Sequence, residues 1–219
     1  MRSGPKAPYV AIEGPIGVGK SSLAPLVAAD LGARILLEEV EENPFLPLFY
    51  GDRARYAMQT QLSFLLSRYH QQQRVLQGDL FAQGGVVSDY ILAKDRIFAA
   101  INLSTEEFAL YDRLWAVLHP RAPQPDLVVL LMAEMGVLLD RIDRRGRPYE
   151  RSLDRSYLEE ICRRYGEYFA GYADSPLLVV DTSEIDFIHR DADRADLLAV
   201  IREHRSGVRY YKPLGSGAA

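Results

Sequence analysis

The chain has 219 residues, 48% of them hydrophobic, which excludes disorder over most of its length and allows one sizeable core. A net charge of −4 argues against bulk binding to nucleic acid or an anionic membrane, and the single cysteine, Cys162, excludes an intramolecular disulfide. No apolar run approaches the ~18 residues of a membrane span, and the first residues carry no apolar signal region. The expectation is therefore a cytoplasmic protein with one domain over residues 1–219 and mobile ends at 1–8 and about 212–219.

Residues Tyr9 to Gly14 read as a short apolar strand, and the helical pattern opening at Ser21 follows directly. Between them, Gly14-Pro15-Ile16-Gly17-Val18-Gly19-Lys20-Ser21-Ser22 fits G-x-x-x-x-G-K-[ST], a loop whose backbone N–H groups cradle phosphates. Arg34 to Glu38 reads as a second strand, ending in the acidic run Glu38-Glu39-Val40-Glu41-Glu42. A long amphipathic helix is expected from Asp52 to about Gln77, with Gln61 and Arg68 two turns apart on one face and Gln71-Gln72-Gln73 exposed.

A third strand, Gly84 to Asp89, precedes a helix beginning near Lys94, Asp95 and Phe98, and Ser104 N-caps a helix running to about His119. Asp126 to Met132 is continuously apolar after its first residue, as befits a parallel strand covered on both faces. Helices from Gly136 to about Arg144 and from Leu153 to about Ala173 flank an arginine-rich stretch. A fifth strand from Pro176 to Thr182 and a last helix from Ala192 to His204 complete the pattern. Five strands alternating with helices imply an α/β fold of the P-loop NTPase type: three layers around a five-stranded parallel doubly wound sheet, with a helical lid. Gly14, Glu38, Asp89 and Asp181 then converge on the carboxyl edge, where such sheets bind ligands.

The chemistry of that edge is phosphoryl transfer. Lys20 reaches the outer phosphates of a triphosphate, Ser21 supplies a magnesium ligand, and Arg141 and Arg145, one turn apart, face the phosphates from a lid punctuated by Gly146 and Pro148.

With these residues in view, the chain resembles the deoxynucleoside kinase family from about residue 9 to residue 200. The resemblance rests on the loop, Glu38 with Val40, Asn43-Pro44-Phe45-Leu46, Tyr50, Gln61 with Arg68, Asp89 with Asp95-Arg96, and Arg141, Arg145, Arg147 and Glu150. It implies that Glu38 is the general base for the 5′-hydroxyl of a deoxynucleoside attacking the γ-phosphate of ATP or another triphosphate. Gln61 would then bond the nucleobase, Tyr50 and Glu150 would hold the 3′-hydroxyl, and Arg145 and Arg147 would belong to the lid. Glu184, Asp186 and Phe187 would surround the donor's base, and Asp89 would hold magnesium through water. A homodimer is implied as well.

An Arg68–Asp95 pair at these positions accompanies deoxyadenosine, deoxyguanosine or deoxycytidine in the family, purines being favoured; the same pair also reads as an ordinary salt bridge between helices. One departure stands out. The family usually has an arginine immediately after the acidic residue of the third strand, where this chain has Tyr90, and Lys94 one turn on is the available replacement. The rival readings are a nucleoside monophosphate kinase of the thymidylate kinase type and a non-catalytic nucleotide-binding switch.

Overall fold

The computed structural model describes residues 8–78 and 84–213; apart from Pro8, Lys212 and Pro213, the two expected mobile ends lie outside these residues. The strands β1 (Tyr9–Glu13), β2 (Arg34–Leu36), β3 (Val86–Ser88), β4 (Leu127–Met132), β5 (Leu177–Asp181) and β6 (Val208–Tyr211) form one parallel sheet in the order β2-β3-β1-β4-β5-β6. The sheet thus has six strands rather than the five expected. β6 is short and lies at the edge, with Val208, Arg209 and Tyr210 exposed, so it lacks the apolar run that marks a buried parallel strand.

Alternation along β1 sends Tyr9 and Ala11 to one face of the sheet and Val10 and Ile12 to the other. The first face packs against α2 (Leu46–Gly51), α3 (Arg53–Gly78), α4 (Ala93–Asn102), α5 (Thr105–Leu118) and α7 (Arg155–Ala170), where Leu65, Ile97, Trp115, Ile161 and Phe169 are buried. The second face packs against α1 (Lys20–Leu31), α6 (Met135–Arg145) and α8 (Asp191–Glu203) through Leu23, Val27, Leu138, Ile142 and Leu197. Three layers result, as expected. α5 opens with a full capping box, the Ser104 hydroxyl accepting from Glu107 N and the Glu107 carboxylate from Ser104 N, which satisfies two backbone donors at the helix end.

On α3 the inward face carries Ala57, Gln61, Leu65, Arg68 and Gln72, spacings of three or four residues that continue the apolar stripe with polar side chains. Gln71 and Gln72 are therefore buried, not exposed as their composition suggested. Gln71 accepts from the Tyr90 hydroxyl at 2.7 Å and donates to the Leu37 carbonyl at 3.3 Å, tying α3 to the ends of β2 and β3.

Candidate active site

The phosphate loop leaves the central strand and enters α1 with Gly14, Gly17 and Gly19 at φ values of 142°, 84° and 107°, a region that L side chains rarely adopt. Crowding reinforces the requirement at two of them. A Cβ on Gly14 would lie 2.4 Å from the Leu131 carbonyl oxygen, and one on Gly17 would lie 2.8 Å from both the Leu138 carbonyl oxygen and Ile142 Cγ1 of α6. Lys20 Nζ donates to the Gly14 and Pro15 carbonyls at 2.7 and 2.9 Å, so the ammonium is folded over the nest. Its burial, with the Lys94 charge nearby, pushes Lys20 down to about 8.

Two cavities meet at this loop. One, of about 240 Å³, lies between the ends of β2 and β3 and the helices α2, α3 and α4, and is walled by Glu38, Tyr50, Gln61, Arg68, Lys94, Phe98 and Glu150. The other, of about 650 Å³, lies under α6 and is walled by Ser22, Arg141, Glu184, Asp186 and Phe187. Gly17, Lys20, Ser21, Arg145 and Arg147 border both.

In the smaller cavity charge is concentrated and dry. The Glu38 side chain, 8% exposed, accepts Arg68 Nε at 2.8 Å on Oε1, where Arg68 Nη2 also bonds, and Lys94 Nζ at 2.5 Å on Oε2. Burial alone would raise the Glu38 carboxyl, but the Arg68 and Lys94 charges outweigh it and hold the group below the usual carboxylate range. Lys94 thus brings a cation to the second oxygen of Glu38. Tyr90 instead turns into the core, wholly buried and bonded to Gln71.

Asp95 does not reach the cavity wall. It is wholly buried behind Arg68, whose Nη1 bonds its Oδ1, while its Oδ2 has no partner among the described residues. Burial, opposed by the Arg68 charge and aided by that of Glu38, pushes Asp95 up to about 7. Gln61 is 3% exposed with its Oε1 likewise unpartnered, an arrangement a ligand donor would complete.

Asp89 joins the two halves of the site. Its Oδ2 accepts the Ser21 hydroxyl at 2.6 Å and its Oδ1 the Glu38 backbone N–H at 2.7 Å, so the strand-end carboxylate fixes both the loop and the segment carrying Glu38. A hydroxyl beside a carboxylate is a hard-oxygen pair that suits magnesium. Asp181, placed at the same edge by sequence, is instead occupied by Ser183 and Lys212 and lines neither cavity.

The lid residues are held by carboxylates. Arg145 bonds Glu150 at 2.7 and 3.1 Å, and Arg147 lies 3.2 Å from Glu41, which also accepts the Tyr149 hydroxyl at 3.0 Å. Tyr149 stacks on Tyr50 with ring centroids 5.6 Å apart. Arg141 stands apart from this group: it donates to the Val18 carbonyl and to Thr182, bracing the loop against the end of β5. At the far side, Phe187 packs within reach of Gly19, and Asp186 accepts from the Ile188 and His189 backbone.

Sequence reasoning missed Glu13. It ends β1, is wholly buried, and accepts from Gly14 N at 3.0 Å, Ile91 N at 2.7 Å and the Tyr165 hydroxyl at 3.1 Å, with burial raising its carboxyl. A lone carboxylate immediately before the loop, inside an apolar strand, was the signal available.

A phosphate loop on the central strand of a parallel sheet, facing an ion-paired carboxylate across a small cavity, defines a P-loop phosphotransferase. The chain belongs to the deoxynucleoside kinase family, whose model matches residues 10–206. It is 33% identical over 203 residues to the deoxyguanosine kinase of Bacillus subtilis, covering 90% of this chain and 97% of that one. It is also 33% identical to the deoxyadenosine/deoxycytidine kinase of the same organism, covering 84% and 87%. Among solved structures, deoxyadenosine kinase from M. mycoides with bound dCTP superposes with a TM-score of 0.76 at 25% identity, covering 89% of this chain and 98% of that one.

Proposed function

We propose that this kinase transfers the γ-phosphate of ATP to the 5′-hydroxyl of a purine deoxynucleoside, deoxyguanosine or deoxyadenosine, with deoxycytidine a poorer acceptor. The observation that carries the acceptor reading is Glu38: a buried carboxylate, fixed by Lys94 at 2.5 Å, at the junction of a small cavity and the phosphate loop. The relatives' names, deoxyguanosine kinase and deoxyadenosine/deoxycytidine kinase, support the purine preference.

In this reading the 5′-oxygen attacks the γ-phosphorus, the bond from that phosphorus to the β-γ bridging oxygen breaks, and the hydroxyl proton passes to Glu38. Lys20 and the loop N–H groups hold the phosphates, and Arg145 and Arg147 meet the charge spreading over the moving phosphoryl oxygens. Lys94 keeps Glu38 ionised and aimed. Gln61 offers both an amide donor and its unpartnered Oε1 to the nucleobase, and Tyr50 and Glu150 take the 3′-hydroxyl. Ser21 and Asp89 are the residues that would hold magnesium, directly and through water; the ion supplies charge neutralisation of the phosphates when bound. Glu184, Asp186 and Phe187 wall the donor base.

We further assign the protein to the cytoplasm, as a homodimer joined through the α5 face that exposes Leu110, Leu114 and Val117. No helix among the described residues is long and apolar enough to cross a membrane.

The test is phosphate transfer from magnesium ATP to the four deoxynucleosides, their ribose counterparts and thymidine monophosphate. The expected ranking places deoxyguanosine or deoxyadenosine first. Turnover with the monophosphate alone would establish a nucleoside monophosphate kinase, and ATP hydrolysis indifferent to acceptor would establish a nucleotide switch.

A further inference from the structure

Arg68 stands between two carboxylates that it does not satisfy equally. Three of its hydrogen bonds run to these groups, two to Glu38 through Nε and Nη2 and one to Asp95 through Nη1. Glu38 has a second cation, Lys94, on its other oxygen, whereas the Oδ2 of the wholly buried Asp95 has no partner among the described residues. A carboxylate engaged by three charge-assisted bonds has little remaining capacity to take a proton from an alcohol, and a guanidinium fork prefers a two-oxygen grip. Arg68 also lines the acceptor cavity on the same face of α3 as Gln61.

We propose that a deoxynucleoside entering the acceptor cavity turns Arg68 from Glu38 onto both oxygens of Asp95, freeing Glu38 for the 5′-hydroxyl while Lys94 alone keeps it in place. Asp95 is thus a positioning residue, acting through Arg68 and not by touching the nucleobase. The inference rests on the acceptor-site reading given above and adds to it a link between base recognition and the readiness of the base catalyst.

The surroundings of Asp95 make the movement measurable. Arg68 faces it from α3, Glu38 from beyond β2, Lys94 from its own helix and Tyr111 from α5, where the Tyr111 hydroxyl is also without a partner among the described residues. Burial raises the Tyr111 phenol, so it does not titrate near neutrality. The free protein holds a proton on Asp95 up to about pH 7, and a two-oxygen grip by Arg68 expels it. Purine deoxynucleosides carry no group that titrates near neutrality, so a proton counted there comes from the protein.

Calorimetry of deoxyguanosine and deoxyadenosine binding to the full chain, in buffers of different ionisation enthalpy, counts the protons exchanged. Release of close to one proton at pH 6, declining to almost none by pH 8, and its loss in Asp95→Asn with binding retained, is the expected result. Binding with no proton exchange, with proton uptake, or with release unchanged in Asp95→Asn overturns the proposal while leaving the kinase reading intact. Absence of deoxynucleoside binding overturns both. Should Asp95→Asn not fold, the ligand-minus-free infrared difference spectrum of the wild-type protein decides, since it cancels any carboxyl, Glu13 among them, that keeps its proton: loss of protonated-carboxyl intensity on adding deoxynucleoside is required, and a flat difference in that region refutes the movement.

Discussion

The two cavities that share the phosphate loop are built on opposite principles. On the acceptor side the ionic side chains are almost dry, Arg68 being 4%, Lys94 7% and Glu38 8% exposed, and each is engaged by an opposite charge. On the lid side Arg145 is 36% and Arg147 32% exposed, and Arg147 pairs with Glu41, itself 66% exposed. A buried charge that loses its partner is heavily penalised, whereas a screened surface pair is worth little. The acceptor wall can therefore enforce one geometry and discriminate between bases, and Arg147 can exchange Glu41 for phosphates at small cost, whereas Arg145 is paired with Glu150, itself only 5% exposed.

The contrast ranks the expected effects of mutation. Glu38→Gln removes the base and unbalances Arg68 and Lys94, and should lower kcat by about 10²–10⁴-fold while KM for the deoxynucleoside moves much less. Unchanged turnover in steady-state assays would remove Glu38 from the mechanism. Lys94→Met should follow, with kcat reduced by about 10²-fold and partial recovery in Lys94→Arg. A loss confined to thermal stability would make Lys94 structural only.

Next comes proton uptake at the loop. Lys20 sits at about 8 in the free protein, and a triphosphate favours its charged form, so above pH 8 binding of ATP should draw in a proton, and below pH 7 almost none. Calorimetry in paired buffers measures this; a pH-independent proton count would show that Lys20 is already fully charged. The smallest effect belongs to Glu41→Ala, which faces the lid from the turn after β2 and is expected to change KM for either substrate by only a few-fold. A tenfold or greater loss there would abolish the contrast between the two sides.

Much of this architecture was legible in the sequence, because glycine spacing and strand–helix alternation are local properties. The loop, Glu38 and Asp89 follow strand ends, Gln61 and Arg68 share one helix face, and all of these border the acceptor cavity; Tyr50 and Glu150, read from the family resemblance alone, line it too. What the sequence withheld depends on contacts between distant segments. β6 escaped notice because an exposed edge strand carries no apolar signature, and the buried Gln71 because its place on α3 requires Tyr90 and Leu37 as partners. The direction of the Lys94 ammonium and the retreat of Asp95 behind Arg68 are likewise three-dimensional facts, whereas Asp181 is diverted locally, by Ser183 two residues on.

The position of β1 at the centre of the sheet governs how the protein comes to exist. Its hydrogen-bonded neighbours are β3 and β4, both far along the chain, and the Tyr9 N–H is closed by the Asp126 carboxylate at 2.8 Å. During synthesis from the N-terminus, the strand that carries the phosphate loop has no lateral support until β3 has left the ribosome, and is flanked on both sides only once β4 has followed. Such non-local pairing folds slowly, so nucleotide capture is a late event and marks a nearly finished sheet.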